Sequence, residues 1–155
     1  MKALQNILFG VAIREVVGST NLNISSIQID SRKVAAGTAF VAIKGVQADG
    51  HNFIATAIEK GATVIVCEVL PKEIVAGITY LVVANSNEAV AIMAHQFYDS
   101  PSTKLKMVGV TGTNGKTTVA TLLFKLFNQL GYTCGLISTV ENHIGSKIEI
   151  GRAHV

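Results

Sequence analysis

The stretch Leu105-Lys106-Met107-Val108-Gly109-Val110-Thr111-Gly112-Thr113-Asn114-Gly115-Lys116-Thr117-Thr118 decides how this 155-residue chain is read. Its apolar front, Leu105 to Val110, predicts a buried strand. The glycine-rich turn that follows opens onto a helix from Lys116 to Leu130. That helix carries Val119, Leu122, Leu123, Leu126, Phe127 and Leu130 on one stripe, the 3.6-residue period of an amphipathic helix. Gly131 ends it, and Cys134 to Thr139 supplies the next strand, completing one βαβ unit. A single such unit cannot cover both faces of its own sheet, so a second domain is begun here and not finished.

A strand leading in and a helix leading out make the turn a phosphate loop. Glycines let backbone amides turn inward around phosphate oxygens. The helix start adds unpaired N–H donors and the positive end of its dipole. The candidate nucleotide-binding residues are Gly112, Thr113, Asn114, Gly115, Lys116, Thr117 and Thr118. Lys116 is also the candidate catalytic charge for the outer phosphates, and the Thr117 hydroxyl is a candidate magnesium ligand. The general loop pattern places glycine where Val110 stands; Gly109 and Gly112 flank that slot. A plain glycine turn capping a helix is the competing reading, and it has no use for Lys116-Thr117. A triphosphate site by itself leaves kinases, motors, switches and ligases open.

Upstream, Asp99-Ser100-Pro101-Ser102-Thr103 is the one plausible linker, where proline and small polar residues end a helix. It divides a first domain, residues 1–99, from a linker at 100–104 and a second, incomplete domain at 105–155. In the first segment, strand and helix signals alternate. Ile27 and Ile29 point one way, as in a half-buried strand, and Thr38 to Ile43 is short and β-prone. Phe53, Ile54, Ala57 and Ile58 recur at helical spacing, with Gly61 placed for a left-handed helix end. Thr63–Cys67 and Thr79–Val83 are apolar runs of the kind covered on both faces. Asn85 with Glu88 starts a helix carrying Val90, Ala94 and Phe97. This predicts an α/β domain of about 100 residues.

Composition narrows the class. Hydrophobic residues are 49% and charged residues 15%, which suits a buried core and excludes a disordered chain. The net charge of +3 comes without a basic run and with 6% aromatics, so nucleic-acid binding has little support. An anionic small molecule fits that charge equally well. Cys67 and Cys134 lie in apolar runs with no metal-ligand spacing, and read as buried reduced thiols. The apolar start is interrupted by Gln5 and Asn6 and stopped by Arg14 and Glu15, so it is not read as a signal peptide. No run approaches the roughly 18 apolar residues that span a bilayer. A cytoplasmic protein without membrane partners is expected.

Val108 to Thr118 resembles the ATP loop of the Mur ligases, in which asparagine before Gly-Lys-Thr is usual and the general glycine spacing is not followed. Asp30-Ser31-Arg32-Lys33-Val34, Gly37, Phe40-Val41-Ala42, Gly45, Asp49-Gly50-His51 and Gly61-Ala62 resemble that family's N-terminal domain, which holds the UDP part of the substrate. Phe97-Tyr98, Ser100-Pro101, Thr113 and Ser138-Thr139-Val140-Glu141-Asn142 look most like the member adding the third peptide residue. The resemblance implies a small α/β UDP-binding domain followed by the first βαβ unit of a P-loop ATPase domain. It implies an ATP- and Mg2+-dependent ligase acting on UDP-N-acetylmuramoyl-L-alanyl-D-glutamate (UDP-MurNAc-L-Ala-D-Glu) through an acyl phosphate. The incoming amino acid, diaminopimelate or lysine, and the oligomeric state are left open. The runner-up is the relative that adds D-alanyl-D-alanine, which tends to carry serine where Thr113 stands. A non-catalytic nucleotide-binding fragment is the alternative of another class.

Carried over by position, Ile29 and Ser31 would contact the uridine nucleotide, and Val46, Gln47 and Ala48 occupy the loop that approaches it. Arg32 reads equally as a diphosphate partner or a solvated surface arginine. Ser31 reads also as a backbone cap. His51 reads as a ligand contact or as a loop residue satisfied by backbone, and His95 as structural. The family continues with magnesium ligands, a carbamylated lysine and an amino-acid-binding domain. Gly151-Arg152-Ala153-His154-Val155 does not match that continuation. These residues alone are therefore expected to be a truncated, inactive piece that binds ATP poorly.

Overall fold

The computed structural model describes residues 1–45, 48–145 and 147–150, with only the backbone described for 149 and 150. The chain divides into two compact units, Met1–Lys106 and Met107–Val155.

In the first unit the elements run β1 (Lys2–Ala3), α1 (Leu4–Ile7), β2 (Ile13–Val17), β3 (Asn23–Ile24), β4 (Ser26–Gln28), β5 (Thr38–Val41), α2 (Ile54–Glu59), β6 (Ala62–Cys67), β7 (Thr79–Val83) and α3 (Ser86–Phe97). Short 3-10 turns lie at Ser31–Lys33, Gly50–Phe53 and Pro101–Lys104. Five strands form one sheet in the order β2-β7-β6-β5-β4. Strands β4 to β7 are parallel, and β2 runs antiparallel against β7.

The apolar runs explain this sheet. Alternate residues of β5, β6 and β7 supply two cores, one on each face. Val41, Val66 and Leu81 stand in register on one face and pack with Leu4, Ile7, Ala89 and Met93 from α1 and α3. Phe40, Ile65 and Tyr80 stand in register on the other, over Ile54 and Ala57 of α2. A strand buried on both faces has no polar alternation, which is why these runs read as continuous. Each such side chain is worth about 1.5–3 kcal/mol of burial. The Tyr80 hydroxyl, buried among them, accepts from the Val75 amide at 3.1 Å.

One expectation changes here, and one strand was not expected. Ile27 packs against the first core, but Ile29 lies past the end of β4 and is exposed. Strand β2 carried no sequence signal, because only its end residues are partly covered and Arg14, Glu15 and Val16 face solvent.

In the second unit, α4 (Lys116–Gln129) is followed by β8 (Leu136–Ile137), β9 (Glu141–Ile144) and β10 (Lys147–Ile150). The three strands form an antiparallel meander, β10-β9-β8. The helix and its Gly131 end form as the spacing predicts. The lead-in strand does not: residues 105–110 join no ladder among the described residues, and Leu105, Met107 and Val108 are exposed. A strand persists only where its amides and carbonyls find a neighbour, and β8 pairs with β9. The apolar stripe of α4 is likewise uncovered, with no buried residue on the helix. Cys67 is fully buried, which pushes its thiol up to about 11, whereas Cys134 is only partly covered.

Candidate nucleotide sites

Parallel strands put every carboxyl end on one edge of the sheet, the edge where open α/β sheets bind ligands. In the first unit that edge gathers Ile29 to Arg32 after β4, Lys44 to His51 after β5, Glu68 after β6 and Asn85-Ser86 after β7.

Two of these loops are built alike. Asp30 accepts from the Arg32 amide at 3.0 Å and, along one edge of the guanidinium, from Arg32 Nε and Nη2, each at 2.9 Å. Asp49 accepts from the His51 amide at 2.9 Å and from His51 Nδ1 at 2.6 Å. In each case an aspartate caps a 3-10 turn and grips the basic side chain two residues on. The hydrogen bonds from Arg32 hold the Asp30 carboxyl down at about 2. The His51 amide and ring likewise lower Asp49.

The backbone cap in the Asp-Ser-Arg turn is thus Asp30 and not Ser31. The Ser31 hydroxyl is half-buried and makes no hydrogen bond among the described residues. Arg32 projects into solvent with part of its fork held by Asp30. Ala48 is exposed, and its carbonyl receives the Gly45 amide at 3.0 Å. Val46 and Gln47 lie outside the described residues. His51 is satisfied at both ring nitrogens, the second accepting from the Glu68 amide at 2.9 Å. His95 meets Ser102 Oγ at 3.3 Å. Glu68 was missed by the sequence reading; its carboxylate accepts from the Ser86 amide at 2.9 Å, across 18 residues of chain.

In the second unit the phosphate-loop residues sit together at the head of α4. Gly115, at φ 76°, is the residue before the helix and offers no side-chain cap. Only glycine takes that left-handed conformation without cost. The first helical amide to find a carbonyl is that of Val119, on Gly115 O at 2.9 Å. The amides of Lys116, Thr117 and Thr118 therefore have no intrahelical acceptor. Lys116 Nζ turns back to donate to Gly112 O at 2.5 Å and Thr113 O at 3.4 Å. The ammonium is thus held by carbonyls of its own loop. Thr117 is half-buried in the first turn. No cluster of three His, Cys, Asp or Glu able to hold a metal occurs among the described residues. One hydroxyl fits a magnesium ion only as a partner to phosphate oxygens and water. Further on, Ser138 Oγ donates to Glu141 O at 2.7 Å and Asn142 Oδ1 receives the Ser138 amide at 3.0 Å, closing the turn between β8 and β9.

An α/β unit with loops gathered at its strand ends, followed by a glycine turn and a lysine at a helix head, is the arrangement that nucleotide-binding α/β proteins use. The comparisons agree with it. The family model described as Mur ligase family, catalytic domain, matches residues 23–98, and that of the Mur ligase middle domain matches residues 110–154. The chain belongs to the Mur ligase family.

Among curated relatives, the UDP-N-acetylmuramoyl-L-alanyl-D-glutamate–2,6-diaminopimelate ligase of Cytophaga hutchinsonii is 52% identical over 146 residues, covering 94% of this chain and 30% of that protein. The ligase of the same name from Bacteroides fragilis is 51% identical over 141 residues, 91% of this chain and 29% of that protein. A solved structure of UDP-N-acetylmuramoylalanyl-D-glutamyl-2,6-diaminopimelate–D-alanyl-D-alanyl ligase from Acinetobacter baumannii matches with a TM-score of 0.59 at 28% identity, over 83% of this chain and 28% of that one. A solved UDP-N-acetylmuramoyl-L-alanyl-D-glutamate–2,6-diaminopimelate ligase gives 0.67 over 99% of this chain and 30% of that one; at 24% identity it shows the shared fold. The chain spans about 30% of the length of the curated relatives it matches.

Proposed function

We propose that these residues belong to a cytoplasmic, ATP-dependent ligase that joins diaminopimelate to UDP-MurNAc-L-Ala-D-Glu. On this reading residues 1–99 hold the uridine nucleotide and the chain from residue 105 holds the triphosphate. The observation that carries it is the Lys116 ammonium seated inside a glycine turn whose following amides are open. Diaminopimelate is preferred over lysine and over D-alanyl-D-alanine because the similar proteins named above at about half identity carry that name.

When bound, ATP supplies the phosphoryl group that turns the D-glutamyl carboxylate into an acyl donor with a good leaving group. The residues of this chain position and neutralise. The loop amides from Gly112 to Thr118 and the Lys116 charge spread over the outer phosphates, which lowers the barrier by fixed electrostatics. The Thr117 hydroxyl would supply one ligand to magnesium. At the other site, the free Ser31 hydroxyl and the exposed Ile29 and Ala48 face the uridine nucleotide, and the outer arm of Arg32 reaches the diphosphate.

Calorimetry on the chain with UDP-MurNAc-L-Ala-D-Glu, the corresponding UDP-MurNAc-tripeptide and ATP tests this. The dipeptide substrate is expected to bind, with ATP weaker. Preference for the tripeptide supports the D-alanyl-D-alanine-adding ligase instead. Binding of ATP with no response to either uridine compound leaves only the non-catalytic nucleotide module.

A further inference from the structure

We infer that His51 is a positioning residue for the proposed uridine site, a brace that holds Asp49 and Gly50, at the base of the turn carrying Ala48, against the end of β6. The inference rests on the proposed uridine site; the brace itself rests on geometry.

The turn after β5 is closed at several points. Lys44 bridges Asp49, Gly50 N donates to Ile43 O at 2.8 Å, and Gly45 N donates to Ala48 O at 3.0 Å. A Cβ on residue 50 would meet Ile43 N at 2.6 Å and Ile43 O at 2.7 Å, so the two arms approach as closely as glycine permits. These ties join neighbouring parts of one loop, anchored after β5 by Ile43 against the first core. His51 adds a link to the end of a second strand, β6. Its Nε2 faces an amide, which can only donate, so Nε2 accepts and the proton lies on Nδ1, against Asp49. One ring therefore bridges the base of the turn, through Asp49, and the residue after β6. Glu68 extends the link by receiving the Ser86 amide at the start of α3. With the side chain only 19% exposed, the ring has little room for another rotamer.

Removing the ring should free the turn without opening the sheet. Amide hydrogen exchange on the chain is the test, with His51→Ala as the variant. Exchange at Gly45, Gly50 and Glu68 is expected to rise about tenfold or more, with Tyr80 and Leu81 in the sheet centre unchanged. Affinity for UDP is expected to fall about tenfold, the size of one lost positioning contact. His51→Gln, whose amide oxygen can reach the Glu68 amide, should recover part of both. Unchanged exchange at Gly45 and Gly50 overturns the brace. A uniform rise that includes Tyr80 and Leu81 also overturns it, since His51 is then only part of global stability. A loosened turn with undiminished UDP affinity overturns the link to the ligand. If the unsubstituted chain does not bind UDP, the uridine reading fails, while exchange still decides whether His51 holds the turn.

Discussion

Asp30 and Asp49 show how one residue type does the same work twice with different partners. Both lie in loops that follow parallel strands, both cap a 3-10 turn, and both hold the basic residue two positions later. The spacing Asp-x-Arg and Asp-x-His was visible in the sequence, but the direction of the grip was not. The Asp30 pair gives a pH prediction. Its carboxyl sits at about 2 in the folded chain against an ordinary 3.8, so ionisation favours folding. That contribution is complete above about pH 4.5 and is lost as pH falls through about 2. The thermal midpoint of Asp30→Asn should therefore lie below that of the unsubstituted chain at pH 7, with the gap closing toward pH 2. A gap that persists at pH 2 assigns the loss to packing and not to charge. Lys116 behaves oppositely. It is exposed and, among the described residues, bonded only to loop carbonyls, so Lys116→Met should change stability by less than about 0.5 kcal/mol. The same change should weaken triphosphate binding at least about tenfold, as loss of a charge-assisted contact does. Equal ATP titrations for both chains would remove Lys116 from the site.

At the scale of elements, the two long helices have contrasting beginnings. Every early amide of α3 is taken. Glu68 receives Ser86, Asn85 Oδ1 receives Asn87 and Glu88, and Asn85 O receives Ala89. The head of α4 has no such closure, and an unclosed helix start beside glycine and lysine is what an anion site requires. The Asn85 cap was legible because its partners are two and three residues away. The Glu68 and His51 ties were not, because their partners are 18 and 17 residues distant and nothing local signals them. The same distinction separates β5, β6 and β7, whose apolar runs announced them, from residues 105–110, where an apolar run lacks a ladder partner. Asn85→Ala should cost about 1 kcal/mol, seen as a lower urea midpoint at unchanged slope. Asn85→Asp should restore most of it. At the other end of α3, Asp99 and Ser100 hold φ of 60° and 53° without being glycine. Lys2 pairs with Asp99 at 2.5 Å, and the Ser100 amide reaches His95 O at 2.8 Å, so the strained pair is held from both sides. Ser100→Gly should raise stability by about 0.5–1 kcal/mol, because the left-handed conformation costs glycine nothing. A loss there would show that the serine side chain outweighs the backbone term.

At the scale of the whole molecule, the two units differ in how their apolar surface is used. The first closes two cores around a five-stranded sheet and ties its N-terminal strand to its last helix through Lys2 and Asp99. The second exposes Val119, Leu122, Leu126, Phe127 and Leu130 along α4, and Ile137, Val140, Ile144 and Ile148 along its meander. Helical stability in proteins comes mainly from packing an apolar face, and an isolated helix of about 12–15 residues is marginal in water. The α4 helix has 14 residues, and none of them is buried. Local opening free energies follow buried contact, so the two units should not open together. Amides of β6 and β7 are expected to exchange only on global unfolding, with strong urea dependence. Amides in the middle of α4, such as Leu123 and Lys125, should exchange orders of magnitude faster and nearly independently of urea. On the proposed function, triphosphate with magnesium binds the formed helix start and not the coil, so it should slow α4 exchange by mass action while leaving β6 unchanged. Should α4 be protected as strongly as β6 in the absence of any ligand, its exposed stripe is covered in solution. Sedimentation at several concentrations then tests whether a second copy of the chain covers it.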